Sequence, residues 1–197
     1  MRVDFEFRVT VAVLFALTLV IRTYYHLQSF RSGVSQKFEG KTNAAFRGMA
    51  GLALFTLLAV YLLNPQSLAW ASLPFPAWLR WLGAPTGFAG LVLLFWVHRE
   101  LGQNFSGTLH LGAEHQLTTS GRYRRIRHPM YTAFYLIALA LLLLSANWLL
   151  GGGLIVGITA VMVSRVKHEE EVMTERFGAQ YRDYTAHTGR FLPRLRK

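Results

Sequence analysis

The sequence predicts an all-α, polytopic membrane protein with about five transmembrane helices, the last two forming a tight hairpin, followed by a C-terminal cytoplasmic amphipathic helix. Three observations predict it. Of the 197 residues, 52% are hydrophobic and 16% charged, with a mean hydropathy of +0.28; soluble domains carry about 25% charged residues. From Pro129 to Ser164 the chain runs 36 residues without a formal charge. As one helix that stretch would measure about 54 Å, too long for a single crossing of a bilayer core about 30 Å thick, so it folds back on itself. The third observation is the segregation of Lys and Arg set out below.

Candidate spans cover roughly 7–24, 45–63, 83–98, 130–147 and 150–165. The first holds a compact apolar run, Val9 to Ile21, bounded by Arg8 and Arg22. A cleaved signal peptide has a similar run, but Asp4 and Glu6 spoil a positive leading region and no small-x-small cleavage site follows, so an uncleaved helix is expected. The segment SANWLLGGG gives the turn between the fourth and fifth spans.

With five crossings, loop 22–47, loop 98–128 and the C-terminal segment share one side and carry 18 of the 21 Lys and Arg residues. Arg2, Arg8 and Arg80 remain for the other side. Positive residues favour the cytoplasm, which places the N-terminus outside and the C-terminus inside. The net charge of +11 is then a face beside anionic lipid, and no nucleic-acid partner is needed to explain it. Loop 64–82, with three tryptophans and three prolines, reads as an interfacial aromatic segment. The chain has no cysteine, which excludes disulfides, thiolate metal ligands and cysteine nucleophiles.

Two short patterns are set aside. GGGLIVG at 151–157 has the glycine spacing of a nucleotide-binding turn but lies inside an apolar span, where close helix packing through Gly153 and Gly157 is the expectation. HLGAEH at 110–115 has one residue too many for a zinc motif, and no metal is expected.

Three segments fall on the basic side: LGQNFS at 101–106, GRYRRIRHPMY at 121–131, and KHEEEVMTERFGAQYRDY at 167–184. Pro129 suits the first turn of a helix, where its missing N–H costs nothing. That puts His128 at the N-cap and Arg127 beside free backbone donors and the positive end of the helix dipole, a corner suited to a carboxylate. Arg122, Arg124 and Arg125 read better as anchors on lipid phosphate. Glu169, Glu170 and Glu171 suit a helix start, and at most two of them can face one pocket. Met173, Phe177, Tyr181 and Tyr184 form an apolar stripe on the same helix. A positive corner and an acidic patch together fit an amino-acid-bearing nucleotide, and S-adenosylmethionine has those parts.

The motifs LGQNFS, GRYRRIRHPMYTAF and HEEEVMTERFGAQYRDYTAHTGRFLP carry a family resemblance. The stretch 101–193 resembles the integral-membrane methyltransferases that include isoprenylcysteine carboxyl methyltransferase and phosphatidylethanolamine N-methyltransferase. Its core is G-x-Y-x-x-x-R-H-P-x-Y from Gly121 to Tyr131, the pair Glu169–Glu170, and F-G-x-x-Y-x-x-Y from Phe177 to Tyr184. The resemblance implies one methyltransferase domain over 1–197, with three N-terminal spans in 1–98 and a catalytic core in 99–197. It implies S-adenosylmethionine as cofactor, bound by Tyr123, His128, Tyr131 and Glu170. Arg127 would hold the cofactor carboxylate or an anionic substrate group, and Glu169 would support Glu170 or share its role. A carboxylate acceptor needs no base, whereas an amine must lose a proton, which Glu169 or Glu170 could take. The implied acceptor is a lipophilic molecule or lipid reaching the site from the bilayer, an isoprenylcysteine-like carboxylate first and a phospholipid amine second. Two positions depart from the family: Ala133 stands where a glycine is common, and Gly107 follows Ser106 where eukaryotic carboxyl methyltransferases tend to have histidine. Two rivals are an NADPH-dependent sterol-type reductase, which shares an R-H-P-x-Y stretch, and a non-enzymatic lipid-binding scaffold.

Overall fold

The structure is a computed structural model describing residues 2–31, 41–101, 117 and 119–194. Among these residues all regular structure is helical: α1 (Arg2–Arg31), α2 (Lys41–Leu63), a short α3 (Ala77–Trp81), α4 (Gly83–Leu101), α5 (Pro129–Ser145) and α6 (Gly153–His187). A 3-10 turn over Pro65–Ala71 follows α2, and a π turn over Trp148–Gly152 precedes α6.

Among the described residues, two helical stretches, Ala77–Glu100 and Trp148–His187, are long and apolar enough to cross a bilayer. Gly51–Leu63 with Pro65–Ala71, bent by 110°, would make a third, and Pro129–Ser145 is apolar but shorter.

The α4–α5 pair is the most extensive helix contact, and α1 packs on both members. The approach is close because α4 lines its inner face with Gly83, Gly87 and Gly90. A Cβ at Gly83 would lie 2.9 Å from the Ala140 carbonyl, and one at Gly90 2.9 Å from Ile137. Small residues at such spacing let two backbones approach and gain dispersion contacts where lipid supplies little hydrophobic drive. The glycines expected to do this, Gly153 and Gly157, do not: a Cβ on either would meet nothing within 4 Å. Gly151 is the one in that run pressed against a neighbour, the backbone of Leu142.

The hairpin between α5 and α6 forms as the sequence predicts. Ala146 takes a left-handed conformation, and the buried Asn147 accepts from Leu150 N at 3.1 Å while donating to Leu68 O at 2.9 Å. α6 then runs back along α5, with Tyr135 Oη 2.6 Å from Thr159 Oγ1. α6 carries the C-terminal segment without an intervening loop, but Gly178, with φ +52° and ψ −119°, is non-helical and divides α6 at a kink. The stripe therefore splits: Met173 and Phe177 precede the bend, while Tyr181 and Tyr184 follow it on a reoriented segment.

Candidate functional site

The site is built where the start of α5 meets the second half of α6 and the C-terminal strap 188–193. Pro129 is the buried first residue of α5 and His128 its N-cap, as the proline placement predicts. The strap is laid alongside by main-chain bonds: Arg127 N donates to Gly189 O at 2.8 Å, His128 N to Arg190 O at 3.0 Å, and Gly189 N to Arg125 O at 3.1 Å. Thr132 Oγ1 adds a bond to Phe191 O at 2.7 Å. These partners satisfy amides of the helix entrance that have no intrahelical acceptor.

Glu170 is the centre of charge. Its Oε1 lies 3.3 Å from Arg127 Nε, 3.3 Å from His128 Nε2 and 3.1 Å from Arg190 Nε, and Arg190 Nη2 pairs with its Oε2. Burial pushes the Glu170 carboxyl up, but hydrogen bonds from His128 and Arg190 and their charges outweigh it, bringing the pKa down to about 2. Glu169 pairs with Arg165 at 3.2 Å and faces His128 Nδ1 at 3.7 Å. Glu171 points elsewhere, to Lys167. Two of the three glutamates thus converge, the most that helix geometry allows.

Arg127 has a second task. Its Nη1 donates to Thr188 O at 2.6 Å and Thr185 O at 3.1 Å, closing the carbonyl end of α6. Tyr131 stacks near His128 and Phe191, with centroids 6.1 and 6.5 Å away. Tyr123 gives its carbonyl to Tyr184 Oη at 2.6 Å. Burial raises the Tyr123 hydroxyl pKa far above its usual value, with Tyr184, Glu100 and Glu169 adding to the shift. Tyr181, buried beside Glu170, is raised to about 12, and burial also takes Tyr184 to about 12. All three tyrosines are neutral donors at physiological pH.

The six expected site residues therefore fall in one neighbourhood, with Arg127, His128, Glu169 and Glu170 in direct contact. Arg190 and Phe191 were not among the expected residues. Their only sequence signal was a place in the GRFLP end of the family-like stretch. The 102–106 portion of LGQNFS, Gly107 and the HLGAEH segment lie outside the described residues.

An open groove of about 930 Å³ runs along α6 from Met162 and Val166 to Glu170, Arg190 and Phe191. It passes from an apolar helix face to the charged cluster. Small-molecule sites run to roughly 300–1,000 Å³. A separate groove of about 750 Å³ lies between α4 and the 121–126 turn, walled by Trp96, Glu100 and Arg122 among others, and none of the six expected site residues lines it.

Comparison with known proteins comes to the same region. Residues 84–175 match the model of the isoprenylcysteine carboxyl methyltransferase family. No curated protein sequence matches significantly. Among solved structures, the chain is similar to the eukaryotic intramembrane Ras methyltransferase isoprenylcysteine carboxyl methyltransferase, solved without a monobody. The TM-score is 0.57 at 18% identity, over 93% of this chain and 67% of that one. The family match spans α4, α5 and the part of α6 that carries Glu169 and Glu170, and the structural match extends the same helical arrangement over nearly the whole chain. The chain is thus similar in sequence over 84–175 to the isoprenylcysteine carboxyl methyltransferase family, a match to just under half of its length, and it shares the fold of a solved member.

Proposed function

We propose that the protein is an S-adenosylmethionine-dependent methyltransferase acting on a lipophilic carboxylate of the isoprenylcysteine type. In this reading five spans carry the site on the cytoplasmic face. The observation that carries the proposal is the convergence on Glu170 of His128 from the start of α5 and Arg190 from the strap, at the charged end of a groove that is apolar along α6.

The residues fit the cofactor by their donor chemistry. Glu170 and Glu169 offer carboxylates to an ammonium or ribose, and the cations beside them offer donors to a carboxylate. Tyr131 and Phe191 offer ring faces near the same point. When bound, the cofactor supplies an electrophilic methyl group on a sulfonium. The protein's share is positioning and the exclusion of water from the reacting pair. His128 and Tyr131 would fix the cofactor's position from α5, Glu170 from α6, and Tyr123 from the turn packed beneath Tyr184. Arg127 holds the end of α6 in register with them by its two carbonyl bonds. The apolar run from Met162 to Val166 would guide the lipid portion of the acceptor.

The acceptor's chemistry follows from proton accounting. A carboxylate nucleophile needs no base, whereas a protonated amine must first lose a proton. Glu170, held at about 2, is a poor proton acceptor at neutral pH. That favours the carboxylate over the phospholipid amine, for which Glu169 would have to serve as base.

The test is equilibrium binding of labelled S-adenosylmethionine to detergent-purified protein, with His128→Ala and Glu170→Gln measured alongside and NADPH as competitor. Expected is saturable binding, weakened about tenfold or more by each substitution, since a charged hydrogen bond is worth about 1.5–3 kcal/mol. NADPH leaves it unchanged. Absence of binding by folded wild type, or displacement by NADPH, overturns the assignment.

A further inference from the structure

Two arginines flank Glu170, and they are not equivalent. The Arg127 side chain is 12% exposed, and its guanidinium is committed to Thr188 O, Thr185 O and Glu170. Moving it would leave two carbonyls at the end of α6 without their donor, a cost a ligand would have to overcome. The Arg190 side chain is 51% exposed, borders the groove beside Phe191, and spends its guanidinium on Glu170 among the described residues. Its backbone is fixed on both flanks, by the bonds of Gly189 to Arg125 and Arg127 before it and of Phe191 O to Thr132 after it, with its own carbonyl on His128 N, so its side chain can turn without disturbing the strap.

We propose that Arg190, rather than Arg127, receives the carboxylate at the amino-acid end of S-adenosylmethionine, and that its departure frees Glu170 for the ligand's ammonium group. The proposal deepens the methyltransferase reading and rests on it. The physical logic is an exchange of partners. A zwitterion entering between Arg190 and Glu170 replaces one ion pair with two, so neither protein charge is left uncompensated in a partly buried place. Glu170 keeps His128 and Arg127 as orienting neighbours throughout, while the planar guanidinium of Arg190 offers two parallel donors to the incoming carboxylate. In the ligand-free arrangement the Arg190–Glu170 pair holds the site's charges together.

The test is a cycle between one protein side chain and one ligand group. Dissociation constants are measured for S-adenosylmethionine and for its decarboxylated analogue, each with wild type, Arg190→Gln and Arg190→Lys. Arg190→Gln should cost S-adenosylmethionine at least about tenfold more affinity than it costs the analogue, about 1.4 kcal/mol of coupling. Arg190→Lys, which keeps a point charge, should retain part of that discrimination. A residue that merely held the strap in place would weaken both ligands alike. Equal weakening, with coupling within about twofold, overturns the role of Arg190 while leaving the methyltransferase reading intact. Failure of folded wild type to bind either ligand overturns both.

Discussion

At one end of the α4–α5 pair, Arg80 is 13% exposed, lies 3.8 Å over the Phe7 ring, and gives Nε and Nη2 to the carbonyl of Leu144 at 3.1 and 2.9 Å. Its remaining arm reaches the exposed Asp4 at 2.9 Å. At the other end, Arg127 likewise closes helix-terminal carbonyls, but Arg190 beside it binds a carboxylate and stays half exposed. Both ends bring arginines to a helix terminus. An arginine committed to main-chain carbonyls is part of the scaffold, because those acceptors lie where the helix's own donors run out. An arginine committed to a side-chain carboxylate at the edge of a groove can trade that partner for a ligand. The difference separates structural from exchangeable charge in a chain whose charged residues are few.

Breaking the scaffold end should give the largest effect on stability. Arg80→Met keeps the apolar stem and removes the donors, leaving Leu144 O without them and the Phe7 ring without its cation. The expected loss is about 3 kcal/mol, the sum of a charged hydrogen bond and the cost of an unpaired buried acceptor. It is read as a lowered midpoint in detergent unfolding. Affinity for S-adenosylmethionine in the folded fraction should stay within about twofold of wild type. A large drop in affinity at unchanged stability would erase the contrast between the two ends.

That contrast was only half legible in the sequence. The helical hairpin, the Pro129 helix start with His128 as its cap, and the convergence of two glutamates follow from local rules, because a cap and a helix face are fixed within a few residues. Arg80 meets Leu144 and Asp4 across 64 and 76 positions, and the strap meets the start of α5 across about 60, so no local pattern announces either. Glycine pairing failed for the same reason. GGGLIVG and the Gly83, Gly87, Gly90 series have equally suitable spacing, and only the placement of α5 decides which series packs. The bend at Gly178 was hidden because F-G-x-x-Y-x-x-Y continues a helical period straight through it.

Gly178→Ala sharpens the comparison from the site end. With φ at +52° an L-residue is strained there, although a Cβ would meet no neighbour within 4 Å, so the cost is one of backbone alone. About 1–2 kcal/mol is expected. Everything downstream of the bend is at stake: Tyr184 on Tyr123, the Thr185 and Thr188 carbonyls on Arg127, and the strap itself. The variant should lose cofactor affinity together with protection of residues 179–193 from hydrogen exchange, while amides around Leu144 keep theirs. Uniform loss of protection across both ends would mean that the two regions unfold as one unit.

The smallest effect is expected at Asp4, and it asks whether the outer carboxylate matters to the Arg80 clamp at all. A hydrogen bond from Arg80 lowers the Asp4 pKa, with burial opposing it and the Arg80 charge adding to it. Yet the Asp4 side chain is 64% exposed, where solvent screens most of that attraction. Asp4→Asn should therefore cost no more than about 0.5 kcal/mol, the ordinary value of an exposed pair, and the difference from wild type should shrink further at high salt. Arg80 retains Leu144 O and Phe7 in the variant, so its position should not change. A salt-independent loss comparable to that of Arg80→Met would show the carboxylate to be an integral part of the clamp. The two ends would then share one design, an arginine held between a carbonyl and an acid, and exposure of the arginine alone would set the scaffold apart from the site.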